Sequence, residues 1–283
     1  MSYANMNAIL KEARKEGYAV GAFNIVNQMT AKAAVEAAEA LNTPVILQTS
    51  VKTVKAFGIT EMMAFLRPIL ENASVDVALH LDHSTDVDFT IACIKGGWSS
   101  VMYDGSKLPL AENIANTQKV VAAAHAHDVT VEGELGAIVG VEDDIVVAED
   151  QSALANPDDC KTYLEATGID AFAPAIGTAH GVYKGEVKID YDLFKEINSF
   201  SHCPLVLHGG TGLSTDTFKK LIGLGASKVN ISTALKIAYC GGMRDYTAAH
   251  PEENDPLKMD AFVKDQVRAV VDQHIRLFTL GEA

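Results

Sequence analysis

The sequence predicts an α/β fold closed into a (β/α)8 (TIM) barrel with a long C-terminal helix. Two observations carry this: eight short apolar runs rich in β-branched residues recur along the 283 residues, and amphipathic stretches separate them. A third supports it, because three histidines, His83, His180 and His208, each follow such a run.

The runs are YAVGAF (18–23), PVILQT (44–49), VALHL (77–81), SSVMY (99–103), VTVEGEL (129–135), AFAPAI (171–176), PLVLH (204–208) and KVNIS (228–232). Between them, TAKAAVEAAEALN, TDVDFTIACIKGG, LAENIANTQKVVAAAHAHD and STDTFKKLIGLGA place Ala, Leu, Ile and Val at helical spacing with charges on the other face. Several open on Ser, Thr or Asp and close on Gly or Asn, as capped helices do. Strands alternating with helices pair in parallel through right-handed crossovers. Eight such units close most economically into a barrel, with an open doubly wound sheet as the alternative. From about Asp255 to the end, DPLKMDAFVKDQVRAVVDQHIRLFTL reads as a long amphipathic helix that closes the barrel and helps an oligomer contact. The acidic segment AIVGVEDDIVVAEDQSALANPDD is long for a connection between strand and helix. Connections of that length are usually functional, so a lid over bound substrate is expected, with a solvated surface loop as the alternative.

Residues 1–283 contain no long polar, Pro-rich or Ser-rich linker, and one domain is expected. At 48% hydrophobic the chain can bury a large core. A formal net charge of −14 argues against a nucleic-acid or anionic-membrane surface, because phosphate backbones reward Lys and Arg. An anionic ligand would need local donors in a pocket. The N-terminal MSYANMNAIL lacks a basic segment leading into a long apolar stretch, and no run reaches the roughly 18 apolar residues of a membrane span, so a cytoplasmic protein is expected. Cys93, Cys160, Cys203 and Cys240 have no CxxC spacing and read as reduced thiols.

In a parallel barrel the C-terminal strand ends share one rim, which would gather His83, His180 and His208. Three imidazoles suit a borderline divalent metal such as zinc and leave a coordination position open. Asp82, beside His83, is the natural acid or base: it cannot easily join His83 as a ligand, since neighbours leaving a strand point in different directions, but a carboxylate close to the metal and unbound to it can shuttle a proton. Glu134 is a further ligand or an outer carboxylate, and Asp104 either orients a metal-site histidine or begins a turn. His80 is expected inside the barrel. His125, His127, His202, His250 and His274 read as helix or surface residues. HGGTGLS and VNISTAL each follow a strand and open a helix, which presents backbone N–H groups to an anion. Connections after the last two strands of such barrels frequently hold phosphate, and Gly181 and Lys184 would close the same pocket.

GAFNIVN, PVILQTS, LHLDHS, SVMYDGS, EGELG, GVEDD, AIGTAHGVYKG, VLHGGTGLS and VNIST occur in this order nearly end to end. In them the chain resembles the class II, metal-dependent ketose-bisphosphate aldolases, which act on fructose or tagatose 1,6-bisphosphate. The resemblance implies zinc on His83, His180 and His208, acting as a Lewis acid in place of the Schiff-base lysine of the other aldolase class. It implies that Asp82 gives a proton to the aldehyde-derived oxygen and that Glu142 is the base at the carbon of dihydroxyacetone phosphate. It also implies that Gly181, Gly209, Gly210, Thr211, Asn230, Ile231, Ser232 and Thr233 hold that phosphate, and that Asn27, Gln48 and Ser50 contact substrate. A monovalent cation (Na+ or K+) near the phosphate and a homodimer or homotetramer are usual in the family.

Two departures bear on the substrate. Where fructose-bisphosphate aldolases carry a DPR segment that grips the distal phosphate from a neighbouring subunit, this chain reads DPLKM, with Leu257 at the arginine's place. Lys258 would reproduce bidentate phosphate recognition poorly. Lys52 and Lys55 follow Ser50 where small residues are common. They would either meet a distal anion, phosphate or the sulfonate of 6-deoxy-6-sulfofructose 1-phosphate, or lie on a solvated helix start. A zinc-dependent barrel hydrolase and a non-catalytic sugar-phosphate-binding protein are the alternatives. The hydrolase leaves two phosphate-cradling connections unexplained, and the binding protein leaves Asp82 and the metal unexplained.

Overall fold

Eight strands close into a barrel in the order 20–24, 226–231, 205–207, 171–174, 130–135, 100–103, 77–84 and 45–50, every neighbour parallel. The computed structural model describes residues 3–142, 145–147, 153–181 and 188–280. In chain order these contain α1 (Met6–Glu16), β1 (Val20–Asn24), α2 (Gln28–Leu41), β2 (Val45–Ser50), α3 (Val51–Phe57), α4 (Ile59–Asn72), β3 (Val77–Ser84), α5 (Val87–Gly96), β4 (Ser100–Tyr103) and α6 (Leu110–His125). They continue with β5 (Thr130–Leu135), β6 (Val139–Glu142), β7 (Ile145–Val147), α7 (Pro157–Thr167), β8 (Ala171–Pro174), β9 (Ala179–His180), α8 (Tyr191–Phe200), β10 (Leu205–Leu207), α9 (Thr215–Gly223), β11 (Ala226–Ile231), α10 (Thr233–Ala249) and α11 (Pro256–Ile275). All eight expected runs form barrel strands, and the open-sheet alternative is overturned. Among the described residues no helix is long and apolar enough to cross a membrane.

Period-two alternation divides each strand between two cores. Outward residues such as Phe23, Leu47, Leu79, Val101, Phe172 and Val229 pack beneath the surrounding helices. Inward residues at the strand starts, Val20, Ala22, Ile46, Ala78, Ala171 and Val206, form a second cluster with Met6, Ile9, Leu10 and Ala13 of α1. Thus α1, a helix not foreseen from sequence, plugs the N-terminal mouth. It is held by the Asn5 side chain at its start and by left-handed Gly17 at its end. Further along six of the eight strands the inward positions turn polar: Asn24, Gln48, Asp82, Glu134, His208 and Asn230. A dry plug below therefore leaves a buried polar chamber above.

Leu10 is fully buried in the plug. Leu10→Ala is expected to cost about 2–5 kcal/mol by loss of contacts and cavity formation. The midpoint of a urea unfolding curve checks this, and kcat/KM of the folded variant should hardly move because α1 sits at the opposite end from the chamber.

The C-terminal helix α11 opens on Asp255 as expected and runs into a π turn, Arg276–Leu280. It packs outside the barrel, against α2, α10 and β1. The expected lid is more structured than a loop: β6 and β7 form a hairpin whose β6 pairs in parallel with β9. Residues 143–144 and 148–152 of that segment lie outside the described residues.

Candidate active site

His83 stands at an irregularity in β3, where pairing with β4 shifts register between Leu81 and Ser84. Its backbone is left-handed, with φ 47°, a conformation costing a non-glycine residue about 1–3 kcal/mol. A regular strand would send Asp82 and His83 to opposite faces. The bulge instead brings adjacent side chains to one chamber, where His83 joins the other imidazoles and Asp82 meets Asn24 and Asn230.

His180 does not directly follow its barrel strand. β8 ends at Pro174, and His180 lies in β9, paired through Gly140 with the β6 hairpin. A Cβ on Gly140 would meet the His180 carbonyl oxygen at 2.2 Å, and one on Gly209 would meet the Ala179 oxygen at 2.4 Å. Both positions have positive φ, so glycine lets the hairpin and the turn after β10 close on His180 from two sides. His208 follows β10 directly.

The three imidazoles meet. Ring centroids lie 4.7 Å apart for His83 and His208, 5.0 Å for His83 and His180, and 5.9 Å for His180 and His208. Each offers a nitrogen, and these atoms lie within 4.8 Å of one another; His83, Asp104 and Glu134 form a second such group. His208 Nδ1 is 3.3 Å from Glu134 Oε2, yet these buried atoms do not make a hydrogen bond of good geometry. A buried nitrogen and a buried carboxylate oxygen left so are costly unless a cation completes them, and the donor set fits a divalent metal.

The carboxylates differ in task. Asp104 Oδ2 bonds His83 Nδ1 at 2.9 Å, while its Oδ1 accepts from the backbone and hydroxyl of Ser106. Burial alone would raise Asp104, but the bond to His83 outweighs it and keeps the carboxyl below its ordinary range. Glu134 is raised by burial and by the Asp104 charge. Burial would also raise Glu132, but the Lys228 ammonium and His208 hold it low. For His208 burial opposes the charged ring, yet the neighbouring Glu132 and Glu134 carboxylates win and push it up to about 9.

Asp82, 1% exposed, accepts from Asn24 Nδ2 at 2.8 Å and from Asn230 Nδ2 at 3.5 Å. Gln48 Nε2 donates to Asn24 Oδ1, and Gln48 Oε1 is buried without a hydrogen bond. His80 lies inside the barrel as expected, bonded to Ser100. Asn24, Glu132 and Lys228 belong to this network and were not singled out from sequence. Each stands two residues from a residue that was or at an inward strand end, so the period-two pattern carried the signal.

The remaining expected residues are spread around the rim. Thr211 Oγ1 accepts from the backbone of Ala234 in α10, tying the Gly209–Gly210 turn to that helix. Ser232, before α10, does not cap it, and its hydroxyl is buried without a hydrogen bond; Thr233 is the helix's first residue. The Ile231 side chain packs in the outer core, leaving only its backbone to the rim. Asn27 caps α2 and reaches the Tyr239 hydroxyl. Ser50 caps α3, whose Lys52 and Lys55 are exposed; Lys55 lies over the Phe89 ring. Leu257 is 74% exposed at the start of α11, and Lys258 pairs with Glu253. Gly181 has φ 92° beyond His180. The Glu142 side chain and all of Lys184 lie outside the described residues.

A parallel barrel with buried imidazoles and carboxylates at its C-terminal rim defines a metal-dependent barrel enzyme. The profile described as fructose-bisphosphate aldolase class-II matches residues 4–282. A probable fructose-bisphosphate aldolase of Bacillus subtilis (strain 168) is 39% identical over 98% of each chain. Among solved structures, a putative fructose-1,6-bisphosphate aldolase from Coccidioides immitis is similar with TM-score 0.90 and 27% identity, covering 97% of this chain and 96% of that one. The YdjI aldolase from Escherichia coli K12 is similar with TM-score 0.84 and 26% identity, covering 98% and 97%. The chain belongs to the class II fructose-bisphosphate aldolase family and is a metal-dependent carbon–carbon lyase acting on sugar phosphates.

Proposed function

We propose that this chain reversibly cleaves a ketose 1-phosphate or 1,6-bisphosphate to dihydroxyacetone phosphate and an aldehyde, with zinc held by His83, His180 and His208. The observation carrying this is the gathering of three imidazole nitrogens within 4.8 Å, in one chamber with the buried Asp82. A bound zinc supplies Lewis-acid stabilisation for charge developing on substrate oxygens. Asp82 takes the C4 hydroxyl proton as the C3–C4 bond breaks and returns it in synthesis. Asn24 and Asn230 aim its carboxylate. Glu142 moves the proton at the carbon of dihydroxyacetone phosphate that becomes or ceases to be nucleophilic. The phosphate sits among the Gly209–Thr211 backbone, Gly181, Lys184 and the start of α10, where the unbonded Ser232 hydroxyl supports an incoming acceptor. Gln48, whose buried Oε1 lacks a hydrogen bond, supports a substrate hydroxyl nearby, with Asn27 and Ser50 at the rim. A Na+ or K+ beside the phosphate and a homodimer or homotetramer complete the proposal; the exposed apolar side chains Ile237, Leu257 and Phe262 support assembly.

The distal group is the open specificity. Leu257 offers it no charge, and α3 carries Lys52 and Lys55 just beyond Ser50, supporting a distal phosphate or sulfonate near that helix. A panel of fructose and tagatose 1,6-bisphosphates, 6-deoxy-6-sulfofructose 1-phosphate and fructose 1-phosphate tests both points. Release of dihydroxyacetone phosphate from at least one is expected, and none from any would overturn the reading. Lys52→Ala or Lys55→Ala should raise KM about tenfold for the preferred dianionic substrate relative to fructose 1-phosphate, the loss of about 1.4 kcal/mol. Unchanged discrimination in both variants would leave the distal anion to other residues.

A further inference from the structure

Lys228 and Glu132 form an ion pair wholly inside the barrel, both fully buried, with Lys228 Nζ 2.8 Å from Glu132 Oε2. Taking two charges out of water costs more than a well-packed apolar pair would, so stability alone explains such a pair poorly. Its neighbours suggest another role. The same ammonium donates to Asn230 Oδ1 at 2.8 Å, and the other oxygen of Glu132 bonds His208 Nε2 at 2.8 Å.

We propose that Lys228 is a positioning residue that fixes two otherwise ambiguous groups, the tautomer of His208 and the amide orientation of Asn230. This rests on His208 as a metal ligand and Asp82 as the proton carrier. An ionised carboxylate only accepts, so Glu132 held by Lys228 requires the hydrogen of His208 on Nε2. The lone pair is then on Nδ1, the nitrogen turned toward Glu134 and the other imidazoles. On its other side Lys228 can only donate, so Asn230 must present Oδ1 to it and Nδ2 to Asp82 Oδ1, 3.5 Å away. A flipped amide would set oxygen against the Asp82 carboxylate. Lys228 and Asn230 share a face of β11 two residues apart, and Glu132 reaches them from β5 across the chamber. One ammonium thereby prepares the ligand and the proton carrier together.

Three variants and one spectrum test this. Lys228→Met strands Glu132 and should destabilise the fold. The double variant Lys228→Met/Glu132→Gln removes both charges and should recover stability in urea. That double variant should still bind zinc about 10- to 100-fold more weakly in chelator competition, the range seen when a ligand's supporting partner is lost. Its kcat should fall while KM for the ketose phosphate changes little. Wild-type zinc affinity and kcat in a stable double variant would overturn the proposal. In the zinc-loaded wild-type protein, 15N NMR should find His208 protonated at Nε2 and coordinated through Nδ1. Coordination through Nε2 would overturn it whether or not the variants fold. His208→Ala separates the underlying reading: if zinc affinity survives that change, His208 is not a ligand, whereas a failure of the Lys228 arms alone leaves the ligand set standing.

Discussion

Asp82→Ala is expected to lower kcat for carbon–carbon cleavage by roughly 10²- to 10⁴-fold, the usual contribution of a positioned general acid or base. That range corresponds to about 3–5 kcal/mol of transition-state stabilisation. Alanine is preferable to asparagine because Asn24 and Asn230 both aim amide donors at this side chain, and an asparagine NH2 would oppose one of them. Truncation leaves those donors without the carboxylate, at about 1–3 kcal/mol of stability. Zinc content should stay at the wild-type level, because the imidazole cluster is assembled by β3, β9, β10 and Asp104 independently of the Asp82 carboxylate. The division of labour with Glu142 gives a sharper readout. Exchange of the carbon-bound proton of dihydroxyacetone phosphate with solvent should persist in Asp82→Ala while cleavage is lost. Glu142→Gln should lose both. Parallel loss of exchange and cleavage in Asp82→Ala would move the carbon base from Glu142 to Asp82.

The barrel was legible because its strands differ from its helices in the period of their apolar residues, and that local difference survives without any knowledge of packing. All eight runs became strands, seven within two residues of their limits and β3 running three residues further, to Ser84. The N-terminal plug was not legible: α1 has too few apolar residues to reveal its destination until the Ala-rich strand starts, Ala22, Ala78 and Ala171, show a mouth that needs filling. The hairpin β6–β7 was obscured by its acid-rich sequence, and its partner β9 is only two residues long, below the length at which alternation can be seen.

Within the site, the histidines were visible because each follows an apolar run, yet the route by which His180 arrives was hidden. Its position depends on pairing with Gly140, forty residues earlier, which no local pattern encodes. The bulge at His83 was likewise invisible, since its φ of 47° is imposed by the surroundings and not by the residue type. Lys228 and Glu132 escaped notice for a different reason: charged residues in a strand suggest a solvated face, and only their meeting across the chamber makes their burial sensible. Asn24 sat in full view at the end of β1, inward by alternation from Val20 and Ala22. Conversely, Asn27 and Ser50 have local helix-capping work that their sequence context also fits, so a family motif and a folding requirement coincide at those positions.

Removal of the metal should have the larger consequence, abolishing cleavage and destabilising the chamber together. A group that binds only the folded state stabilises it by about 4 kcal/mol at a thousand times its Kd. At roughly 2–4 °C per kcal/mol for a chain of this size, zinc loading should raise the Tm by about 8–16 °C. The structure supplies the reason for so strong a link. His83, His180 and His208 come from β3, β9 and the end of β10, so one ion would tie the hairpin sheet to the barrel wall. Beside them the buried Glu134 oxygen and His208 Nδ1 have no good hydrogen bond to satisfy them otherwise. Chelator-treated protein should therefore lose cleavage to background and regain it, with its Tm, when zinc is restored. His208→Ala should be insensitive to zinc in both respects. Calorimetry of the apo and loaded forms, paired with a dihydroxyacetone phosphate assay, checks both outcomes. Cleavage that persists without metal, or an adduct trapped by borohydride, would instead assign the chemistry to an amine and return the histidine cluster to a structural role.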